Sequence, residues 1–125
     1  MKKQLATLNI GIGIVLNEYS QLLIAQRLDT KPIGGLWEFP GGKQKKDESI
    51  ERTIVREIKE ETNIDVLVGE KLIELDHLHS HKKFHFVVYI CEFVSGHHKP
   101  LASKQILWIF PDELCNYPFP SVNTH

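Results

Sequence analysis

Three things are scarce in this sequence, and each scarcity removes a class of protein. Cysteine occurs only at Cys91 and Cys115 in 125 residues, without a CxxC spacing. That excludes a disulfide-stapled scaffold, and the chain is expected in a reducing, cytoplasmic compartment. A surplus of charge is also missing: 15 basic against 16 acidic residues leave a net charge of -1. Such a balance gives no global pull toward nucleic acid or an anionic bilayer, so phosphate chemistry needs a local site. Finally, no apolar run reaches membrane-spanning length. "MKKQLATLNIGIGIVL" superficially resembles a secretory leader, but Asn9 interrupts it and no small-residue cleavage site follows. Ile10, Ile12 and Ile14 alternate with smaller residues, the period of a strand.

What remains is an ordinary globular composition, 42% hydrophobic and 25% charged, read as one domain over residues 1–125. A first strand is expected over residues 5–16, turning at "NEYS", and a second at "QLLIAQR", ending in Arg27. "LDTKPIGGLWEFPGGK" follows, where four glycines and two prolines forbid a regular helix and mark a shaped loop. Ser49 is a good N-cap, Ile50, Ile54, Val55 and Ile58 form an apolar stripe, and Asn63 suits a left-handed C-cap. Further strands are expected at "VLVGEKLIEL", "KFHFVVYICEFV" and "ILWIF", the last two joined by a hairpin-like turn at "SGHHKP". "PDEL" starts a short helical turn.

The helix raises a question. "VREIKEET" sets Glu57, Glu60 and Glu61 on one arc beside the apolar stripe, where like charges three and four apart repel. Three carboxylates in that position are hard oxygen ligands suited to Mg²⁺ or Mn²⁺, and such an ion removes the repulsion. A metal held there neutralises phosphate charge, positions a diphosphate and activates water. Arg56, four residues before Glu60, can steady a glutamate, and the Gly41-Gly42 turn lets main-chain carbonyls approach the ion.

From Gly42 the chain reads "GKQKKDESIERTIVREIKEETNI", which resembles the Nudix box, G-x5-E-x7-R-E-U-x-E-E-x-G-U with U a bulky aliphatic. Gly42, Glu48, Arg56, Glu57, Ile58, Glu60, Glu61 and Ile64 fall on the pattern. Asn63 replaces its last glycine, a mild change because asparagine tolerates left-handed geometry. The resemblance implies an α/β fold, a mixed β-sheet sandwiched between helices (α/β/α). It also implies Mg²⁺-dependent (or Mn²⁺-dependent) hydrolysis of a nucleoside diphosphate linked to another moiety. Glu57, Glu60 and Glu61 match the family's metal-binding and catalytic glutamates, Gly41 its carbonyl ligand and Arg56 its orienting arginine. Glu57 or Glu60 is the expected base.

Across the whole chain the sequence resembles the MutT type, which removes oxidised purine nucleoside triphosphates such as 8-oxo-dGTP. "LWEFPGGK", with Phe39, looks like that subgroup's loop into the box, Arg27 matches its phosphate-contacting arginine, and "YPFPSVN" places Asn123 at its base-reading asparagine. An amide donates one hydrogen bond and accepts another, which suits 8-oxoguanine, with O6 as acceptor beside an N7–H donor. Lys82 and Lys83 are candidates to reach substrate phosphates.

Two departures stand out. Ala102 occupies the position, six residues before Trp108, where a metal-serving glutamate is common: either that carboxylate is absent or the loop aligns differently. Relatives usually continue past the asparagine into a C-terminal helix, whereas this sequence stops at His125. His77, His79, His81 and His85, at even spacing, are expected on one strand face rather than as a zinc set. The expected partner is a small nucleotide, with no stable nucleic-acid or membrane binding, in a monomer or weak homodimer. The rivals are a Nudix hydrolase for another nucleotide, such as a pyrimidine triphosphate, and a non-hydrolytic module recognising oxidised guanine.

Overall fold

A glycine-spaced strand, β1 (Ala6–Leu16), is the spine of a seven-stranded mixed sheet in the computed structural model, which describes residues 6–120. It pairs in parallel with β6 (Lys82–Ser95), from Ala6 opposite Lys82 to Leu16 opposite Glu92. β5 (Asp65–His79) runs antiparallel to β6 and forms the sheet edge. The other side of β1 is shared: Ile10–Ile12 pair with β4 (Gly41–Lys43), and Leu16 pairs with Leu22 of β2 (Leu22–Gln26). β2 in turn carries β3 (Trp37–Glu38) and β7 (Gln105–Ile109).

The alternation in β1 works as the sequence implies. Gly11 and Gly13 face the helix α1 (Ile50–Thr62), and a β-carbon on them would lie 2.8 Å from Ile54 and 2.6 Å from Ile58. Their bare backbone lets the helix seat directly on the strand. Ile54, Ile58 and Ile64 are completely buried there with Val15 and Leu23. The opposite face is covered by Leu114, Tyr117 and Phe119 packing on Leu22, Ile24, Trp37 and Ile109. The sheet is thus layered on both sides, α1 on one and a short 3-10 helix (Pro111–Asn116) with the segment after it on the other. That 3-10 helix is the turn expected at "PDEL".

Both helix caps form as anticipated. Ser49 Oγ accepts from the Arg52 amide at 3.1 Å, and Asn63 is left-handed at φ 65° with its amide bonded to the Lys59 carbonyl. The stripe itself needs correction at Val55, which is 37% exposed. One step of about 100° carries it off the face defined by Ile54. Thr53 and Thr62 are buried instead, their hydroxyls bonded to the Ser49 and Ile58 carbonyls at 3.0 and 2.6 Å. Seven steps bring Glu61 to within about 20° of Ile54, so this carboxylate points toward the core side.

Three other expectations change. β6 and β7 are not a hairpin, because β7 pairs with β2 and residues 96–104 cross over. That crossover is tied to the end of α1: the Lys99 and Leu101 amides donate to the Thr62 and Glu61 carbonyls at 2.9 and 3.1 Å. Carbonyls at a helix end need such partners. The loop after Arg27 contains β3 and β4, so Gly41-Gly42 is a paired strand rather than a turn. The histidines do not share a strand face, since Ser80 and His81 (φ 49° and 64°) form the two-residue turn between β5 and β6. His77 and His79 lie on β5 and His85 on β6, where its Nδ1 is 2.6 Å from Asp76 Oδ1.

The helix–sheet contact sets the stability of the fold. Ile54→Ala is expected to cost about 2–5 kcal/mol in urea unfolding, whereas Val55→Ala stays within about 0.5 kcal/mol. Equal costs would return Val55 to the core.

Candidate active site

Arg56 organises the acidic strip. It sits in the second turn of α1 and reaches back over the loop that precedes the helix. Its Nε and Nη2 donate to the two oxygens of Glu48 at 2.7 and 2.9 Å, a fork on a carboxylate. Nη1 donates to Glu57 Oε1 at 2.8 Å and to Glu60 at 3.3 and 3.4 Å, and Nη2 also reaches the Lys43 carbonyl at 3.1 Å. Glu48 further accepts from the Thr53 hydroxyl at 2.7 Å and the Lys45 amide at 3.1 Å. Hydrogen bonds from Arg56, then Thr53, then Lys45 hold its carboxyl down at about 2. Arg56 is correspondingly pushed further above its ordinary value, chiefly by Glu48.

Glu57 lies against β4. A β-carbon on Gly42 would overlap its carboxylate, so glycine is the residue that admits the acid to the backbone. Glu61 stands beside it, one helical turn on. Burial is the first cause that pushes the Glu61 carboxyl up to about 9; Glu57 and then the charge of Glu38 add to this, and the Gly41 amide opposes it. Glu60 is different, with its side chain 55% exposed and turned to Arg56. Among the described residues no three acidic, histidine or cysteine side chains already converge as a ligand set. Glu57 and Glu61 are adjacent on the helix, while Glu60 is held by Arg56. Hard oxygen donors beside an unscreened glycine backbone fit a small divalent cation.

Two clefts flank β3 and β4, and one of them reaches the acidic strip at Glu57. One, of about 710 Å³, is lined by Ile10, Ile12, Phe39, Phe84, Phe86 and Phe119, with Arg27 and Glu38 at one side. Phe39 and Phe119 rings approach to 5.2 Å, and the Trp37 amide donates to the Pro118 carbonyl at 2.9 Å, which fastens the late segment across β3. The other, of about 500 Å³, is lined by Arg27, Leu28, Lys31, Glu38, Gly42, Lys43, Glu57 and Ala102.

The expected site residues thus gather unevenly. Arg27, Phe39, Gly41, Gly42 and Glu57 line the clefts, Glu60 and Glu61 line neither, and Ile58 and Ile64 are buried in the core. Lys82 lies one pleat beyond Phe84 on the same face of β6, exposed, and lines neither cleft. Lys83 faces the other way, 3.6 Å from Asp76. Asn123 falls outside the described residues. Ala102 does line the same cleft as Glu57, so the position expected to bear a carboxylate offers a methyl group. Glu38 was not anticipated: Arg27 Nη1 donates to both of its oxygens, at 2.9 and 3.2 Å. Its only sequence signal was its place between Trp37 and Phe39 in the glycine-rich loop.

The raised Glu61 carboxyl gives a signed prediction for the metal-free protein. Folded, it keeps its proton up to about 9; unfolded, it releases it near 4.5. The stability it contributes is complete below the lower value and is lost as pH rises through the higher one. Melting temperature measured in chelator is therefore expected to fall over that interval, and to fall less in Glu61→Gln. Millimolar Mg²⁺ should remove the difference; identical slopes for both proteins in chelator would refute it.

Comparison with known proteins supplies the family. The NUDIX domain family model matches residues 11–125. An 8-oxo-dGTP diphosphatase of Buchnera aphidicola subsp. Schizaphis graminum is 33% identical over 121 residues, covering 94% of this chain and 88% of that protein. A CTP pyrophosphohydrolase of Escherichia coli (strain K12) is 30% identical over 107 residues, covering 86% of this chain and 79% of that one. Among solved structures, the E. coli ORF135 protein superposes with a TM-score of 0.81 at 27% identity, over 96% of this chain and 85% of that one. Matches of this length, on a chain whose acidic helix is already clamped by Arg56 against a glycine strand, leave one conclusion: the chain belongs to the Nudix family, as a hydrolase of the MutT type.

Proposed function

We propose that this Nudix hydrolase is a Mg²⁺-dependent nucleoside triphosphate pyrophosphohydrolase that removes oxidised purine nucleotides such as 8-oxo-dGTP. The observation that carries the reading is a pair of neighbouring clefts, an aromatic one with room for a base and a charged one lined by Glu57, which share Arg27 and Glu38. A nucleotide laid along them has its base among Phe39, Phe84 and Phe86 and its phosphates beside Glu57. Water and the triphosphate give nucleoside monophosphate and inorganic pyrophosphate.

In this reading Glu57, Glu60, Glu61 and the Gly41 carbonyl hold Mg²⁺, with Mn²⁺ as a substitute. The ion supplies charge neutralisation on the phosphates and makes water a better nucleophile. Glu57 or Glu60 takes the proton, and Arg56 keeps Glu57 in register through its fork on Glu48. Arg27 binds phosphate, Lys82 reaches a substrate phosphate, and Asn123 reads the base edge. A pyrimidine triphosphate is the second reading, favoured by the CTP pyrophosphohydrolase of E. coli, at 30% identity.

Pyrophosphate release with Mg²⁺ from 8-oxo-dGTP, dGTP, CTP and the other common triphosphates separates the readings. Preference for 8-oxo-dGTP supports the first and preference for CTP the second. Glu57→Gln is expected to lower turnover about 10²–10⁴-fold, the contribution of a lost general base. Turnover unchanged in that variant would remove Glu57 from the mechanism.

A further inference from the structure

Arg27 and Glu38 line both clefts, so their ion pair is the partition between them. Arg27 Nη1 holds both Glu38 oxygens, while its Nε donates to the Pro32 carbonyl at 3.0 Å, which fixes the arginine in place independently of Glu38. A nucleotide that spans the clefts must pass this pair. Its phosphate competes with Glu38 for the same guanidinium, since both are anions suited to that planar fork. Once displaced, Glu38 carries an unpaired charge beside a phosphate of the same sign and has to turn away.

The charged cleft offers it a destination. Glu38, Glu57 and Ala102 line that cleft together. Leu101, the preceding residue, is bonded through its amide to the Glu61 carbonyl at 3.1 Å, so Ala102 is held at the end of the acidic helix. Its methyl group leaves the cleft open where a longer side chain would fill it. Glu57 and Glu61, meanwhile, lack a third convergent ligand among the described residues.

We propose that Glu38 is a transferable carboxylate: bound to Arg27 before substrate arrives, released when a phosphate takes Arg27, and then turned beside Ala102 to join Glu57 and Glu61 on the metal. The assignment makes Glu38 a residue that links phosphate occupancy to metal affinity, and it rests on the hydrolase reading above.

The switch can be thrown without nucleotide. Arg27→Gln frees Glu38 permanently, so Mn²⁺ binding to the nucleotide-free 125-residue chain, followed by the electron paramagnetic resonance of the free ion, reads the effect directly. Glu38→Gln is expected to change Mn²⁺ affinity by less than about twofold in the Arg27 background. In the Arg27→Gln background the same change is expected to weaken binding about tenfold. Equal losses in both backgrounds would mean that Glu38 acts only through its static charge, and no loss in either would mean that it only holds Arg27; each overturns the proposal. Arg27→Met, which also removes the charge but keeps much of the side-chain length, serves in the same cycle if Arg27→Gln melts early. Pyrophosphate release by the wild type is scored separately. Release with an additive cycle overturns the Glu38 assignment alone, whereas no release from any triphosphate overturns the hydrolase reading beneath it.

Discussion

One guanidinium holds the acidic strip together. Without Arg56, Glu48, Glu57 and Glu60 would face one another across a helix edge with nothing of opposite sign between them. With it, Glu48 is locked to the loop before α1, Glu57 is drawn against β4, and the Lys43 carbonyl joins the same cation. The arginine therefore does more than balance charge. It ties the helix directly to the glycine strand. Glu60, held at 3.3 Å and half in solvent, is the most exposed of the three.

The two faces of the sheet divide the labour. Gly11 and Gly13 give one face of β1 to the helix, while Ile10 and Ile12, pointing the other way, line the aromatic cleft. The strand thus separates the helix from the aromatic cleft by a single layer of backbone. Short β3 and β4, paired to β2 and β1, bring Glu38 and Gly41 to the seam where the faces meet.

Much of this was legible in the sequence because it depends on local spacing. The helix, both of its caps, the glutamate arc and the arginine are set by residues within a few turns of one another. Asn63 at φ 65° takes the left-handed place that a glycine usually fills. What was not legible depends on partners far away in the chain. β7 had to choose between β6 and β2, and a turn-like "SGHHKP" does not encode that choice. Even spacing of histidines suggested one face, but the Ser80–His81 turn reverses the chain between them. Val55 looked like part of the stripe because it is apolar, although its angle on the helix sends it outward. Glu38 was missed because its role comes from Arg27, brought to it by the pairing of β2 with β3.

The parallel pairing of β1 with β6 also carries a consequence for how the chain folds. Ala6 finds its partner in Lys82, so the centre of the sheet closes only after most of the chain has been made. Contacts of such wide separation are slow to form. As the chain emerges from a ribosome, β1 can meet β4 and α1 early, yet the edge meant for β6 stays open until the β5–β6 hairpin arrives. During that interval an unpaired, isoleucine-rich edge is exposed to other chains. The two-residue turn at Ser80–His81, which lets β6 form locally on β5 before it reaches β1, shortens the time for which that edge is bare.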